Sequence, residues 1–248
     1  MGQKPLEGRV ALVTGAGLRV GRCIALELAA AGCDVAVHVH RSREPGETTA
    51  ADVRELGRRS IVVVADQTDV AAIRRAADQA CEALGPVSVL VNSAATWPHV
   101  ALEETEPEDF DQALATNLRG PFFWARTLGP RMRELDGGGA IVSIADVSFD
   151  RPWVDSLPYC MAKAGVVSMT YGLAKALAPE VRVNAIGPGP VLFPPDYPDE
   201  LMQADREATL REREGEPEDI ARAVRFLAES PNVTGVFLPV DGGYRFGI

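Results

Sequence analysis

Cationic residues are in short supply: 25 Lys and Arg stand against 35 Asp and Glu in 248 residues, a formal charge of −10. That balance argues against a broad phosphate-binding surface, so neither nucleic acid nor an anionic membrane is an expected partner. Cysteine is scarce as well. Cys23, Cys33, Cys81 and Cys160 contain no CxxC pair, which leaves neither a zinc pattern nor a disulfide framework, and no metal is expected. No apolar run reaches membrane-spanning length. The first eight residues lack a signal-peptide core, and Leu6 stands where myristoylation favours Ser or Thr. A short leader and a cytoplasmic location are the expectation.

What is present is globular: 46% hydrophobic and 24% charged residues allow a packed core rather than disorder. The length suits one α/β domain over residues 1–248. Apolar, β-branched runs at Arg9 to Val13, Asp34 to His40, Ser60 to Ala65, Val87 to Val91, Ala140 to Ala145, Val181 to Ile186 and Val236 to Val240 predict about seven strands. Helical patterns lie between them, at Arg22 to Ala31, Thr48 to Leu56, Val70 to Leu84, Pro107 to Glu134, Pro158 to Ala178 and Pro217 to Glu229. Strands alternating with helices predict a doubly wound parallel sheet with right-handed crossovers, a Rossmann architecture. One long irregular stretch, Pro188 to about Gly215, contains Phe193-Pro194-Pro195-Asp196-Tyr197-Pro198. It leaves the carboxyl end of a strand, where open α/β sheets bind ligands, and residues 190–215 are expected to form a lid. A solvated excursion is the alternative.

Between the first strand and first helix lies Thr14-Gly15-Ala16-Gly17-Leu18-Arg19-Val20-Gly21. Glycines there let the backbone turn tightly and approach a pyrophosphate at the helix N-terminus. After the second strand, where an acid would bind a free ribose hydroxyl, the residues are His38-Val39-His40-Arg41-Ser42-Arg43. Arg41 can fork onto a 2′-phosphate and Ser42 can donate a hydroxyl, so NADPH is preferred over NADH. Asp66 at the end of the third strand can accept from an adenine amino group, or equally can cap a turn. Asn92-Ser93-Ala94-Ala95 supplies small side chains along the cofactor path.

Tyr159 and Lys163 stand at i and i+4 on one helix face, where an ammonium would lower a phenol from about 10 towards working pH and make it a proton donor. With these residues in order, the chain resembles the short-chain dehydrogenase/reductase family over its full length. The matching motifs are Thr14-Gly15 to Gly21, Asn92-Ser93-Ala94, Asn117, Tyr159 with Lys163, Pro188-Gly189 and Asp241-Gly242-Gly243. The resemblance implies that Tyr159 donates the proton, that Lys163 also binds the nicotinamide ribose, and that Asn117 supports a water relay. It extends the cofactor contacts to Gly15, Arg19, Val20, Gly21, His40 and Gln67, and to Pro188 and Gly189. A homo-oligomer, commonly a tetramer built on the two long helices, is implied too.

Two departures stand out. Arg19 replaces the family's usual glycine, and Asp146 replaces its usual serine thirteen residues before the tyrosine. With His38-Val39-His40-Arg41-Ser42 they look like the pteridine reductase branch, including dihydromonapterin reductases, where the Arg meets cofactor phosphate and substrate and the Asp assists protonation. An ionised carboxylate accepts rather than donates and would repel a developing alkoxide, so Asp146 fits a substrate with N–H donors or a protonatable ring nitrogen. Its alternative role is to cap the turn after its strand. Trp97 matches the aromatic that stacks on pterin in that branch, and an indole face suits a flat heterocycle. His99 reads as a loop histidine. The expected activity is hydride transfer from NADPH to a pterin-like ring; a general carbonyl or 3-oxoacyl reductase is the alternative enzyme, and an NADPH-sensing regulatory protein the alternative without catalysis.

Overall fold

A computed structural model of the protein describes residues 4–193 and 197–247. Seven strands form one sheet: β1 (Val10–Thr14), β2 (Asp34–Val39), β3 (Ser60–Val64), β4 (Val89–Asn92), β5 (Gly139–Ile144), β6 (Val181–Pro188) and β7 (Phe237–Val240). Every neighbouring pair is parallel, in the order β3-β2-β1-β4-β5-β6-β7. This is the expected doubly wound, single-domain Rossmann architecture. Helices α1 (Arg19–Ala30), α2 (Arg43–Glu55), α3 (Val70–Leu84), α4 (Pro107–Leu114), α5 (Gly120–Arg133), α6 (Leu157–Leu177), α7 (Asp199–Glu207) and α8 (Pro217–Glu229) connect or flank the strands. One core lies beneath α1 and α8, with Ile24, Leu28 and Val224 fully buried. The other lies beneath α3 and α5 around Ile73, Trp124 and Leu128. Burial on both faces explains why β1, β2 and β4 are wholly apolar but for Asp34, His38, Thr14 and Asn92. Strand order reverses direction between β1 and β4, and the crevice at their carboxyl ends is where such sheets take ligands.

Three expectations are corrected. The helix expected from Pro107 to Glu134 is interrupted by a π-helical turn, Ala115–Arg119. Pro121 has no N–H to give to the carbonyl of Asn117 four residues back, so the regular ladder cannot pass that point. The stretch from Pro188 to Gly215 is not structureless: it contains α7 and a short bridge from Val191 to Gly215. Pro194, Pro195 and Asp196 of its proline-rich run lie outside the described residues. The third concerns α2, which begins at Arg43 rather than Thr48 and so draws the charged residues after β2 into its first turn. Among the described residues no helix is long and apolar enough to cross a membrane.

Candidate active site

The carboxyl ends of β1 to β6 open onto one cavity of about 930 Å³. Its cofactor-facing half is built around the turn after β1. Thr14 Oγ1 accepts the Ser93 and Ala94 N–H groups at 2.9 and 3.0 Å, drawing the end of β4 against the turn. Gly15 has φ +67°, and a Cβ there would sit 2.8 Å from Ala94 Cα. At Gly21 a Cβ would come within 2.3 Å of the Gly15 carbonyl oxygen, so any side chain would break the turn. His38 completes the cradle from β2: its Nδ1 accepts the Gly15 N–H at 3.4 Å, and its Nε2 donates to Ala65 O at 3.0 Å. These two bonds need the neutral ring, and burial pushes the imidazole down to about 4.

Arg19 holds a positive φ of 54°, the region that favours glycine, which explains why glycine is usual here and why an arginine must be compensated. Its guanidinium donates to the Leu192 carbonyl, so it ties the glycine turn to the segment beyond β6. Arg41 and Ser42 line the far end of the cavity. Among the described residues Arg41 has no ion-pair partner and Ser42 makes no side-chain cap bond, leaving both groups open to an anion. Asp66 performs the turn role: one oxygen accepts Thr68 N and Oγ1, both at 2.8 Å, and the other faces His40 at 3.6 Å. The Thr68 backbone N–H holds its carboxyl below the usual range. A cradle closed to side chains, opening at a helix N-terminus and ending at an unpaired arginine, fits a dinucleotide of the nicotinamide type.

At the opposite end Tyr159 Oη donates to Asp146 Oδ2 at 2.8 Å. The second carboxylate oxygen of Asp146 accepts the Ser148 N–H at 2.8 Å and caps a short 3-10 turn, Val147–Phe149. One oxygen thus caps the turn, as the alternative reading expected, while the other meets the tyrosine. Lys163 Nζ donates to Ile144 O at 2.8 Å and lies 5.4 Å from the Tyr159 ring. Burial lowers Lys163 to about 8, against the pull of Asp146. Burial also raises Asp146. Tyr159 moves opposite to the sequence expectation: burial, then the facing carboxylate, push its phenol well above the ordinary value. The ammonium is spent on a backbone carbonyl, while the hydroxyl looks straight at a negative charge.

Trp97 lies between Trp153, Tyr159 and Tyr197, with ring centroids 5.2, 6.2 and 6.3 Å away, and its Nε1 donates to Ser156 Oγ at 3.1 Å. His99 packs against it at 4.2 Å, tilted by 50°, and lies 3.2 Å from Asp155. The cavity also touches Val20, Gln67, Pro188 and Gly189. Two named asparagines do not line it. Asn92 is buried and donates to Ser143 Oγ at 3.2 Å. Asn117, in the π turn, clamps Thr96: its Oδ1 accepts Thr96 N at 3.0 Å and its Nδ2 donates to Thr96 O at 2.9 Å and Ala113 O at 3.0 Å. Its side chain holds the backbone beside Trp97. Trp153 and Tyr244 line the cavity unforeseen, and Tyr197 and Asp205 line it from the stretch expected as a lid. Trp153, six residues ahead of Tyr159 and parallel to its ring within 9°, was the one a search for aromatics near the tyrosine could have found.

A family model described as enoyl-(acyl carrier protein) reductase matches residues 15–245, nearly the whole chain. The chain belongs to the short-chain dehydrogenase/reductase family. It is 36% identical to a protein of Streptomyces violaceoruber named as a ketoacyl reductase of the granaticin polyketide synthase, covering 96% of each chain. It is 33% identical to the L-rhamnose 1-dehydrogenase (NAD(P)(+)) of a Sphingomonas strain, covering 97% of each. Among solved structures, a dehydrogenase/reductase from Sinorhizobium meliloti superposes with a TM-score of 0.91 at 35% identity, over 98% of this chain and 97% of that one. A blue fluorescent protein from a metagenomic library, solved with NADPH, superposes at 0.90 with 31% identity, over 97% and 99%. Membership of this family makes the protein an oxidoreductase acting with a nicotinamide cofactor.

Proposed function

We propose that the protein is an NADPH-dependent reductase of a flat, pterin-like heterocycle. The observation that carries this reading is the 2.8 Å bond from Tyr159 Oη to Asp146 Oδ2. A serine hydroxyl at that position would donate to a ketone oxygen, whereas a carboxylate beside the tyrosine accepts from ring N–H groups while Tyr159, which carries the proton, gives it to a ring nitrogen. Bound NADPH supplies the hydride. Arg41 and Ser42 would receive its 2′-phosphate, and Lys163 would hold its nicotinamide ribose, as the family resemblance implies. Tyr159 keeps its proton until a basic atom reaches it, because burial and Asp146 both oppose the phenolate. Asp146, itself raised by burial, shares that proton and stays fixed through Ser148. Trp97 and Trp153 offer ring faces to a planar substrate, and Asn117 keeps Trp97 in place through Thr96.

The test is NADPH oxidation with dihydropterin or dihydrobiopterin as acceptor. Turnover by the wild type and a loss of roughly 10²-fold or more in Tyr159→Phe are expected from removing a general acid; undiminished turnover in the variant removes the proposed donor. The names of the sugar dehydrogenase and ketoacyl reductase relatives favour a second reading, a general carbonyl reductase. It keeps Tyr159 and Lys163 but treats Asp146 only as a cap. The exposed Phe122, Met161 and Tyr171 on α5 and α6 support the expected homo-oligomer, which light scattering reads directly.

A further inference from the structure

Beyond the Asp146–Tyr159 pair, three residues from separate parts of the chain meet on the cavity wall. Tyr197 Oη donates to Asp205 Oδ2 and Tyr244 Oη donates to Asp205 Oδ1, each at 2.9 Å. All three side chains line the cavity. Asp205 belongs to α7, Tyr197 to the approach to it, and Tyr244 to a short 3-10 turn, Tyr244–Phe246, near the chain's end. One carboxylate thus fixes two aromatic rings by both of its oxygens, a pattern of charge-assisted bonds stronger than neutral ones. The Tyr244 turn is braced in turn by Arg151, whose Nη1 donates to Tyr244 O at 2.8 Å and Gly247 O at 3.0 Å. Arg151 follows the 3-10 turn that Asp146 caps, so the wall is tied to the loop carrying the proton-transfer carboxylate. On the other side Tyr197 stacks on Phe193 at 5.1 Å, 15° from parallel, and reaches within 6.3 Å of Trp97.

We infer that Asp205 is a positioning residue that holds the aromatic wall of the substrate cavity by fixing Tyr197 and Tyr244. Trp97 and Tyr197 stand 6.3 Å apart and 36° from parallel, less than the roughly 7–8 Å that a ring seated between them needs, so a planar substrate lies against this wall and not between its rings. With both phenols held, the wall offers that substrate one fixed surface; without Asp205 it loosens and the contact weakens. Asp205 touches neither Tyr159 nor Lys163, so its loss acts on binding before chemistry. This inference rests on the aromatic cavity being the substrate site proposed above, and its test has an arm that does not.

The experiment compares wild type, Asp205→Ala and Asp205→Asn. In steady state with dihydrobiopterin and saturating NADPH, Asp205→Ala raises KM at least fivefold with kcat within twofold. Asp205→Asn, whose amide can still accept from one phenol and donate to the other, restores KM to within threefold of wild type. In parallel, trypsin cleavage after Arg206 and Arg211 is followed without substrate; the released segment is cut at least fivefold faster in Asp205→Ala. Tyr197→Phe and Tyr244→Phe, each deleting one hydroxyl, give intermediate cleavage rates and serve if Asp205→Ala does not fold. A wild type that ignores dihydrobiopterin defeats the pterin reading while the cleavage arm still decides on Asp205. Cleavage rates within twofold of wild type in every variant, or a fall in kcat at constant KM, overturn the inference.

Discussion

Acidification should unfasten the cofactor cradle through one buried histidine. His38 is 1% exposed and must be neutral for Nδ1 to accept from Gly15. Its folded value of about 4 lies below an unfolded value of about 6.5. Because the unfolded chain binds a proton that the folded chain refuses, stability is complete above about pH 6.5 and falls as pH drops towards 4, where the loss levels off. Linkage between these two values gives roughly 2 kcal/mol lost by pH 5 and about 3 kcal/mol at the limit. Urea unfolding at pH 7.5 and pH 5 measures this directly, and His38→Gln serves as reference because an amide can keep the Ala65 bond without titrating. Wild type should lose about 2 kcal/mol more than the variant over that interval. Equal losses in both proteins would show that His38 does not titrate as its surroundings require.

The remaining expectations concern catalysis and cofactor choice. Lys163, lowered to about 8 by burial, is cationic below that value and neutral above it; if its charge steadies the ribose and the Tyr159–Asp146 pair, kcat/KM for reduction falls as pH rises through about 8, and a flat profile to pH 9 contradicts this. Arg41→Ala should weaken NADPH by about 10- to 100-fold, the worth of a charge-assisted pair, and leave NADH unchanged; isothermal titration with each cofactor reads the difference. Gly21→Ala places a Cβ 2.3 Å from Gly15 O, so it should abolish cofactor binding or folding, and a variant that binds NADPH normally refutes the close-packed turn.

Local signals were the legible ones. The apolar runs of β1, β2 and β4 announce strands buried on both faces. The glycines of the first turn and the four-residue spacing of Tyr159 and Lys163 are short-range patterns that survive folding unchanged. Asp146 was legible as an unusual residue, but its two simultaneous bonds depend on a turn geometry no spacing encodes. The direction of the Tyr159 shift could not be read from an i, i+4 pair, because it depends on burial and on the Asp146 carboxylate that faces the hydroxyl. Asn117 was found as a motif, yet Pro121 and the π turn decide that its side chain serves Thr96. The Asp205, Tyr197 and Tyr244 cluster joins positions up to 47 residues apart, and α7, which buries no residue, is too polar to stand out in a charged segment.

The most direct measurement of the central claim is the ratio of kcat/KM for dihydrobiopterin to that for an aliphatic ketone, taken with NADPH in wild type and Asp146→Ser. If the carboxylate beside Tyr159 selects a ring with N–H groups, the ratio exceeds about tenfold in wild type and drops by a similar factor in the variant, as expected when a site's polar partner is lost. A wild type that prefers the ketone, or a ratio untouched by the substitution, would leave Asp146 as a turn cap and the enzyme as a carbonyl reductase.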